Sequence, residues 1–173
     1  LVGSEMCIRD RQEVSNILDQ HSDLDLNDEN LYTLHPPLCR AAKKGFYEIC
    51  KTLIQYGADV NCIKDRLFSP LWGASSGNHL EIVKLLIENG ADINAYESST
   101  TAALNEAAAK GHFEIVRYLI EKGADINRLT TTLLFSPLDW SISSGHNEIS
   151  LFLKEKGASS NINHDYVCLL YTS

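Results

Sequence analysis

Histidine side chains recur along this chain with a regular spacing, and histidine is a side chain that can do acid–base or metal chemistry. His79, His112 and His146 lie 33 and 34 residues apart. A neutral imidazole both donates and accepts a hydrogen bond, and its pKa lies nearest to neutral pH. Because each histidine occupies the same place in a repeated segment, we interpret all three as structural groups that hydrogen-bond the adjoining loop.

The cysteines and the recurrent carboxylates form no reactive set either. No C-x-x-C pair occurs among Cys39, Cys50 and Cys62, and no histidine–cysteine combination has the spacing of a zinc site. We interpret them as small core or surface residues. There is no glycine-rich phosphate loop, so the sequence predicts a protein that is not an enzyme and has no metal site or cofactor. The loop carboxylates are interpreted as turn acceptors: Asp59, Asp92 and Asp125.

Composition limits the classes of partner. The chain has 15 Lys and Arg residues against 23 Asp and Glu residues, and its net charge of −8 repels the phosphate backbone of nucleic acids. No apolar run approaches the roughly 18 residues of a membrane-spanning helix. The composition therefore predicts neither a nucleic-acid nor a membrane partner. Five cysteines, an odd number, favour a reducing compartment, the cytoplasm or alternatively the nucleus.

Both ends of the chain resemble translated sequencing adapter. One choice of codons for Met6–Arg11 is the reverse complement of one choice for Cys168–Ser173, with one base taken from the codon of Val167. The same string resembles a transposase-type adapter. We therefore interpret residues 1–11 and 168–173 as artefacts, and we expect the remainder to be a monomeric fragment that is open at both ends.

An internal period of about 33 residues is the strongest pattern in the chain. Copies of Gly-Ala-Asp-Val/Ile-Asn begin at Gly57, Gly90 and Gly123, and Gly-Ala returns at Gly157. A fixed period of this length indicates a stacked repeat architecture. A Pro-Leu or Ala-Leu pair stands twenty residues before each glycine, at Pro37, Pro70, Ala103 and Pro137.

Each period predicts two short helices. Proline is tolerated in a first helical turn because its missing N–H has no partner there, and Ser69 and Ser136 precede such prolines as N-caps. The first helix, as in Pro70–Ser76, is rich in small residues that let a neighbour approach closely. The second, as in Glu81–Asn89, has one apolar face, and Gly90 follows it as a left-handed C-cap. Neither helix can bury its apolar face alone, so the units must stack.

The repeated unit resembles the ankyrin family. The segments Ser69–Leu71, His79–Leu86 and Gly90–Asn94 (SPL, HLEIVKLL and GADIN) match that family's pattern closely. The resemblance implies an all-α fold, an ankyrin-repeat α-solenoid of stacked helix-turn-helix units with short β-hairpin-like loops. The expected divisions are the remnant of an upstream repeat at 12–30, four repeats at about 31–63, 64–96, 97–130 and 131–163, and the start of a next unit at 164.

The sequence departs from the family pattern mainly in the loops. Asn78 replaces the glycine before His79, and Ala103 stands in place of a proline. The connection after Asn127 is one residue longer than the connections after the two earlier asparagines. The fold should survive these changes, but the geometry of the loops is open. The family's hairpin glycine is replaced at all four positions, by Leu34, Leu67, Thr100 and Leu134.

The resemblance also implies that the chain binds another protein through its loop tips and the concave face of the first helices. Two tips are unusually apolar, Leu67–Phe68 and Leu133–Phe135. These side chains could anchor a partner, or they could pack on neighbouring loops in place of the missing glycines. Both interpretations stay open. The predicted partner-binding residues are Arg66, Leu67, Phe68, Trp72, Ser99, Thr101, Lys110, Leu133, Leu134, Phe135 and Trp140.

The loop asparagines resemble a modification site. Asn61, Asn94 and Asn127 each have a leucine eight residues earlier and an aspartate two residues earlier, a pattern similar to that hydroxylated by asparaginyl hydroxylases in ankyrin domains. An asparagine that holds its own loop by backbone hydrogen bonds explains the pattern without any modification.

Two roles compete with that of a binding module. The segment could regulate, or recruit substrates to, a larger enzyme such as a kinase or ubiquitin ligase, or an ion channel, whose other domains lie outside it. It could also be a purely structural spacer, in which case we expect no exposed apolar patch.

Overall fold

The computed structural model describes the greater part of the chain as short helices joined by turns, at residues 12–20, 26, 36–62, 69–95, 102–131 and 133–161. No β-strand occurs within these ranges, in agreement with the predicted all-α class. Both presumed adapter ends and the predicted start of a next unit at residue 164 lie outside the described residues. The helices are α1 (residues 12–20), α2 (Pro37–Lys44), α3 (Tyr47–Gln55), α4 (Pro70–Ser76), α5 (Leu80–Glu88), α6 (Ala103–Lys110), α7 (Phe113–Glu121), α8 (Pro137–Ser143) and α9 (Asn147–Glu155).

The first helix of a pair begins where serine and proline predict. The N–H of Trp72 donates to Ser69 Oγ over 3.1 Å, and the N–H of Asp139 donates to Ser136 Oγ over 3.2 Å. Ser136 forms a full capping box, because its own N–H donates to Asp139 Oδ2. Both predicted N-caps are confirmed, and α4 has the predicted bounds.

The second helix of each pair ends at a left-handed glycine. Gly57 and Gly90 both have φ near +88°, a region that glycine enters without the steric cost of a Cβ. The N–H of Ala91 donates back to Leu86 O over 3.0 Å and closes the last turn. The predicted C-cap glycines are therefore confirmed, although α5 begins and ends one residue earlier than predicted. Asn78, which replaces a family glycine, adopts φ +61°.

One continuous apolar core runs through the stacked units. Leu18 of α1 belongs to it, whereas the neighbouring Ile17 is 47% exposed. Burial of a leucine at the same place in every unit is what stacking requires, because no single helix pair encloses its own apolar face. The core leucines of the first helices are Leu38, Leu71, Leu104 and Leu138, and those of the second helices are Leu53, Leu86, Leu119 and Leu153.

The first helices pack against one another more closely than the second helices do. Small residues allow this approach: Ala42, Ala74 and Ala108 are fully buried, and a Cβ on Gly73 would lie 3.3 Å from Cys39 O. Because tighter packing on one side of a repeat stack favours curvature toward that side, we expect the first helices to line the concave side. We call α2, α4, α6 and α8 the inner helices and α3, α5, α7 and α9 the outer helices.

Candidate functional site

The connection between Asn127 and α8 contains the predicted loop tip that the structure describes most fully. The N–H of Thr130 donates to Phe135 O over 2.9 Å, and the N–H of Phe135 donates to Thr130 Oγ1 over 3.1 Å. The N–H of Leu134 donates to Thr130 O over 3.0 Å. These bonds close the backbone on itself. We call the described residues between Thr130 and Phe135 the tip turn.

Two leucine side chains of the tip turn are exposed to solvent. Leu133 is 54% exposed and Leu134 is 55% exposed. Leu134, at a position where the family has glycine, adopts φ +54°, a left-handed conformation that costs a residue with a Cβ roughly 1–2 kcal/mol. The side-chain amide of Asn161 donates to Leu134 O over 2.9 Å and holds this backbone. Both leucine side chains are therefore largely accessible to solvent, and their role as anchors stays a prediction.

Asn105 of α6 attaches the end of the tip turn, and the chain just before it, to an inner helix. Its buried Nδ2 donates to Arg128 O over 2.9 Å and to Phe135 O over 3.2 Å. The ring of Phe135 packs edge-on against Trp140 of α8, with 5.3 Å between the ring centres. The tip turn is thus held by α6 and α8. Asn105 was not predicted, because a lone buried asparagine carries no pattern until its distant carbonyls are known.

Polar contacts connect the inner helices on the concave side. Ser76 Oγ donates to Glu106 Oε1 over 2.9 Å, and Lys110 Nζ lies 3.6 Å from the same oxygen. Lys43 Nζ lies 5.6 Å from the ring centre of Trp72, a cation–π distance. Trp72 is only 8% exposed, and its role in partner binding stays a prediction.

The predicted partner-binding residues therefore divide into groups. Leu133, Leu134 and Phe135 belong to the tip turn, whereas Lys110 and Trp140 lie on inner helices. The structure brings Phe135 and Trp140 into contact and leaves Lys110 paired with Glu106. Trp72 lies on the inner helix α4. The remaining five lie outside the described residues: Arg66, Leu67, Phe68, Ser99 and Thr101.

The recurrent histidines join successive repeats. His79 Nε2 lies 3.3 Å from Lys43 O, and His146 Nε2 lies 3.0 Å from Ala109 O. Both carbonyls belong to the last turn of the inner helix of the preceding repeat, α2 for His79 and α6 for His146, so the predicted bond to the adjoining loop was wrong about the partner. The rings lie close to backbone: a Cβ on Gly45 would come within 2.5 Å of the His79 ring. Gly45 also has φ +81°, so glycine meets two requirements there.

His112 makes the corresponding bond in the middle of the stack, with Nε2 3.3 Å from Ser76 O. Burial lowers the pKa of His112, and the charges of Lys110 and His146 lower it further, against the opposing effect of the bond to Ser76 O. The imidazole is therefore neutral at pH 7, and a neutral ring protonated on Nε2 donates to the carbonyl.

The loop asparagines also bridge repeats. Asn61 Nδ2 donates to Gly90 O over 3.0 Å, and the N–H of Asp92 donates to Asn61 Oδ1 over 2.8 Å. The same two bonds recur one repeat later. Asn127 ends the series, with its Oδ1 accepting from the N–H of Ser159 over 2.9 Å. Hydroxylation stays a prediction for Asn61, Asn94 and Asn127.

The loop carboxylates accept turn hydrogen bonds, as predicted. The N–H of Asn61 donates to Asp59 Oδ1 over 2.8 Å, and the N–H of Asn127 donates to Asp125 Oδ1 over 3.0 Å. Both carboxylates are exposed to solvent, and these hydrogen bonds are those of turn acceptors.

Asp139 is the only buried carboxylate in the part of the chain that the structure describes. It accepts hydrogen bonds from the N–H of Ser136 over 2.8 Å, from Ser160 Oγ over 2.5 Å and from the N–H of Asn161 over 3.0 Å. Burial by itself raises the pKa of Asp139, but these hydrogen bonds outweigh burial and lower the pKa below its ordinary value. The ionised carboxylate therefore ties the chain after α9 to α8.

Two cysteines of the first repeat lie side by side. Cys39 Sγ is 3.6 Å from Cys62 Sγ, and neither cysteine forms a disulfide. Cys50, predicted as a small core residue, is fully buried, and burial raises the pKa of its thiol to about 12. The approach of Cys39 to Cys62 was not predicted, because 23 residues separate them in the sequence.

Neither a metal cluster nor a membrane span is found in the described ranges. No three or more His, Cys, Asp or Glu side chains there are grouped so that they could hold a metal ion. No described helix combines the length and the apolar character needed to cross a bilayer.

Comparison with protein-family models places the chain in a class. The model for ankyrin repeats (3 copies) matches residues 6–97 and 96–164, which is most of the sequence. The chain therefore belongs to the ankyrin repeat family, whose members generally bind other proteins and are typically non-catalytic. No curated protein matches the chain significantly.

Proposed function

We propose that this chain is a protein-binding module whose partner contacts the tip turn and the adjoining concave face of the inner helices. The observation that carries the proposal is the exposure of more than half of Leu133 and Leu134 in a hydrogen-bonded turn. Full burial of a leucine side chain stabilises a complex by about 1.5–3 kcal/mol before the costs of association. Two such residues at one tip are a sufficient anchor for a specific contact.

The described residues of the tip turn are held by contacts within the chain. Asn105 bonds Phe135 at the end of the turn and Arg128 just before it, and Trp140 supports Phe135 from α8. Because this backbone is held in advance, a partner that covers it loses less conformational entropy on binding. The strained backbone of Leu134 also supports a functional role, since glycine at this exposed position would remove the strain and would also remove the side chain.

Exposed charges on the inner helices indicate the chemistry of the rest of the partner surface. Arg40, Lys43 and Lys44 are exposed on α2, and Lys110 is exposed on α6, although the whole chain carries a net charge of −8. Complementary potentials steer association and discriminate between partners. We infer that the partner offers apolar side chains to the tip turn and acidic groups to the inner helices.

The double variant Leu133→Ser with Leu134→Asn tests this surface. Asparagine tolerates positive φ, so the tip turn should keep its backbone while it loses both apolar side chains. We expect the affinity for a partner captured by the natural chain to fall at least about ten-fold, which corresponds to about 1.4 kcal/mol. Affinity is measured by calorimetry or by surface binding with the purified partner.

Leu151→Ser is the matched control, because Leu151 is 63% exposed on the outer helix α9. This variant should bind like the natural chain. A folded double variant with unchanged affinity would exclude the tip turn from the interface. Equal losses in the double variant and the control would show non-specific apolar capture instead of a defined surface.

A further inference from the structure

We propose that Cys39 and Cys62 are a redox modification site, which forms a reversible intramolecular disulfide on exchange with a small disulfide such as oxidised glutathione. In the reduced chain the two Sγ atoms lie 3.6 Å apart. Neither cysteine takes part in the tip turn, the histidine contacts or the asparagine series, so the structural roles described above do not account for the pair.

The two thiols come from different elements that the fold brings together. Cys39 is the third residue of α2, and Cys62 follows the outer helix α3 in a turn where its N–H donates to Asp59 O over 3.3 Å. Cys39 Sγ also lies 3.9 Å from Cys62 O. A disulfide bond is about 2.05 Å long, so the sulfur atoms must approach by about 1.5 Å. Rotation of the side chains with a small shift of the turn can supply that movement.

Unequal exposure sets the order of the exchange. Cys62 is partly exposed, whereas Cys39 is buried, so the oxidant reaches Cys62 first. The Cys62 thiolate attacks one sulfur of oxidised glutathione, which forms a mixed disulfide and releases one glutathione thiolate. The Cys39 thiolate then attacks Cys62 Sγ and releases the second. The two cysteine thiols lose two protons and two electrons in total, and both electrons reduce the glutathione disulfide.

Cys50 is an internal contrast in the same repeat. It is fully buried, and burial raises the pKa of its thiol to about 12, so almost no thiolate exists at neutral pH. Because the thiolate is the nucleophile in disulfide exchange, Cys50 should stay reduced under conditions that oxidise the pair.

The cross-link would act at Cys62, just before a segment that in the sequence carries Leu67 and Phe68, two of the predicted partner-binding residues. A disulfide would attach Cys62 to α2 and would restrict the unfolded chain between Cys39 and Cys62, which stabilises the first repeat. An effect on partner binding rests on the proposed function, whereas formation of the disulfide does not.

The test equilibrates the full chain with glutathione buffers of graded potential, once in native buffer and once in strong denaturant. Free thiols are then alkylated, and the linked peptides are mapped by mass spectrometry. We expect a Cys39–Cys62 link in the native chain, with an effective thiol concentration at least about ten-fold higher than in denaturant. Hydrogen exchange at the amide of Cys62 should slow on oxidation.

Matched variants identify the site. Cys39→Ser should stop at a glutathione adduct on Cys62, whereas Cys50→Ser should leave the internal disulfide unchanged. If Cys39→Ser does not fold, Cys62→Ser at the partly exposed position serves instead, and Cys39 should then resist modification. The proposal is overturned if the native chain pairs these cysteines no more strongly than the denatured chain, or if the main disulfide involves Cys7, Cys50 or Cys168. Partner binding through the tip turn would be untouched by that result.

Discussion

The first and fourth repeats place different chemistry at equivalent positions of one scaffold. The third residue of the inner helix is Cys39 in α2 and Asp139 in α8, and both side chains reach the chain that follows the outer helix, at Cys62 and at Asn161. Asn105 makes the corresponding contact in the third repeat. The location of this contact follows from the stacking geometry, whereas the residue type decides how strong it is and what controls it.

The interiors of the first and fourth repeats also differ in polarity. The hydroxyl oxygens of Ser141 and Ser150 lie 2.8 Å apart in the buried interior of the fourth repeat, where the first repeat has Ala41 and Cys50. Directional hydrogen bonds hold the fourth repeat, and those accepted by Asp139 depend on the protonation of its carboxylate. Apolar contacts and thiols hold the first repeat. We therefore expect acid to act on one end of the stack and oxidants on the other.

The largest expected effect is that of Asp139→Ala. The substitution leaves the N–H groups of Ser136 and Asn161 without their buried acceptor and removes the capping box of α8. We expect a loss of about 3 kcal/mol in the free energy of unfolding, because hydrogen bonds to charged groups are worth about 1.5–3 kcal/mol each and do not add fully. Urea denaturation measures it. Asp125→Ala removes an exposed turn acceptor and should cost less than about 1 kcal/mol, so equal costs would contradict the comparison.

Acidification should act through the same carboxylate with a smaller effect. Because the folded chain lowers the pKa of Asp139, the unfolded chain binds the proton more readily near its ordinary pKa of about 3.9. The stabilisation is complete above that pH and is lost as the pH falls through the lower pKa of the folded state. A protonated carboxyl still accepts some hydrogen bonds, so the loss should be smaller than for Asp139→Ala. In the variant Asp139→Asn, the unfolding free energy measured against pH should lack the acid-dependent loss that we assign to Asp139. An unchanged pH profile would exclude Asp139 as the source of that loss.

Leu134→Gly should increase the stability of the fourth repeat. Glycine removes a left-handed strain of roughly 1–2 kcal/mol but adds backbone entropy to the unfolded chain, so we expect a net gain of about 0.5–1 kcal/mol. Leu133→Gly is the control, since its backbone has no positive φ, and it should lower the stability slightly. Thermal unfolding of both variants decides the question. A gain in both, or in neither, would show that strain at Leu134 is not relieved.

The smallest expected effect is that of Cys39→Ala in the reduced chain. A thiol makes weak hydrogen bonds, so replacing Cys39 should cost no more than about 1 kcal/mol, against about 3 kcal/mol at the equivalent Asp139. Urea denaturation with a reducing agent measures the difference. A cost as large as that of Asp139→Ala would mean that the thiol contact already holds the first repeat without oxidation.

Local features of the fold were predictable because their causes lie within a few residues. A serine before a proline caps α4, and Gly90 ends α5 in the left-handed region, as the sequence indicated. The candidate site was predicted only in part. Leu133 and Leu134 stood out as apolar residues in a polar loop, whereas the support from Asn105 and the burial of Trp72 had no local sign.

The sequence by itself determined the helix pairs, their caps and the stacking of repeats, because periodic leucines, prolines and glycines act within one unit or between adjacent units. Only the tertiary structure decided that Cys39 lies against Cys62 and that His79 bonds Lys43 O in α2, the inner helix of the preceding repeat. These partners stand 23 and 36 residues apart, and no local preference relates them until apolar burial has stacked the units.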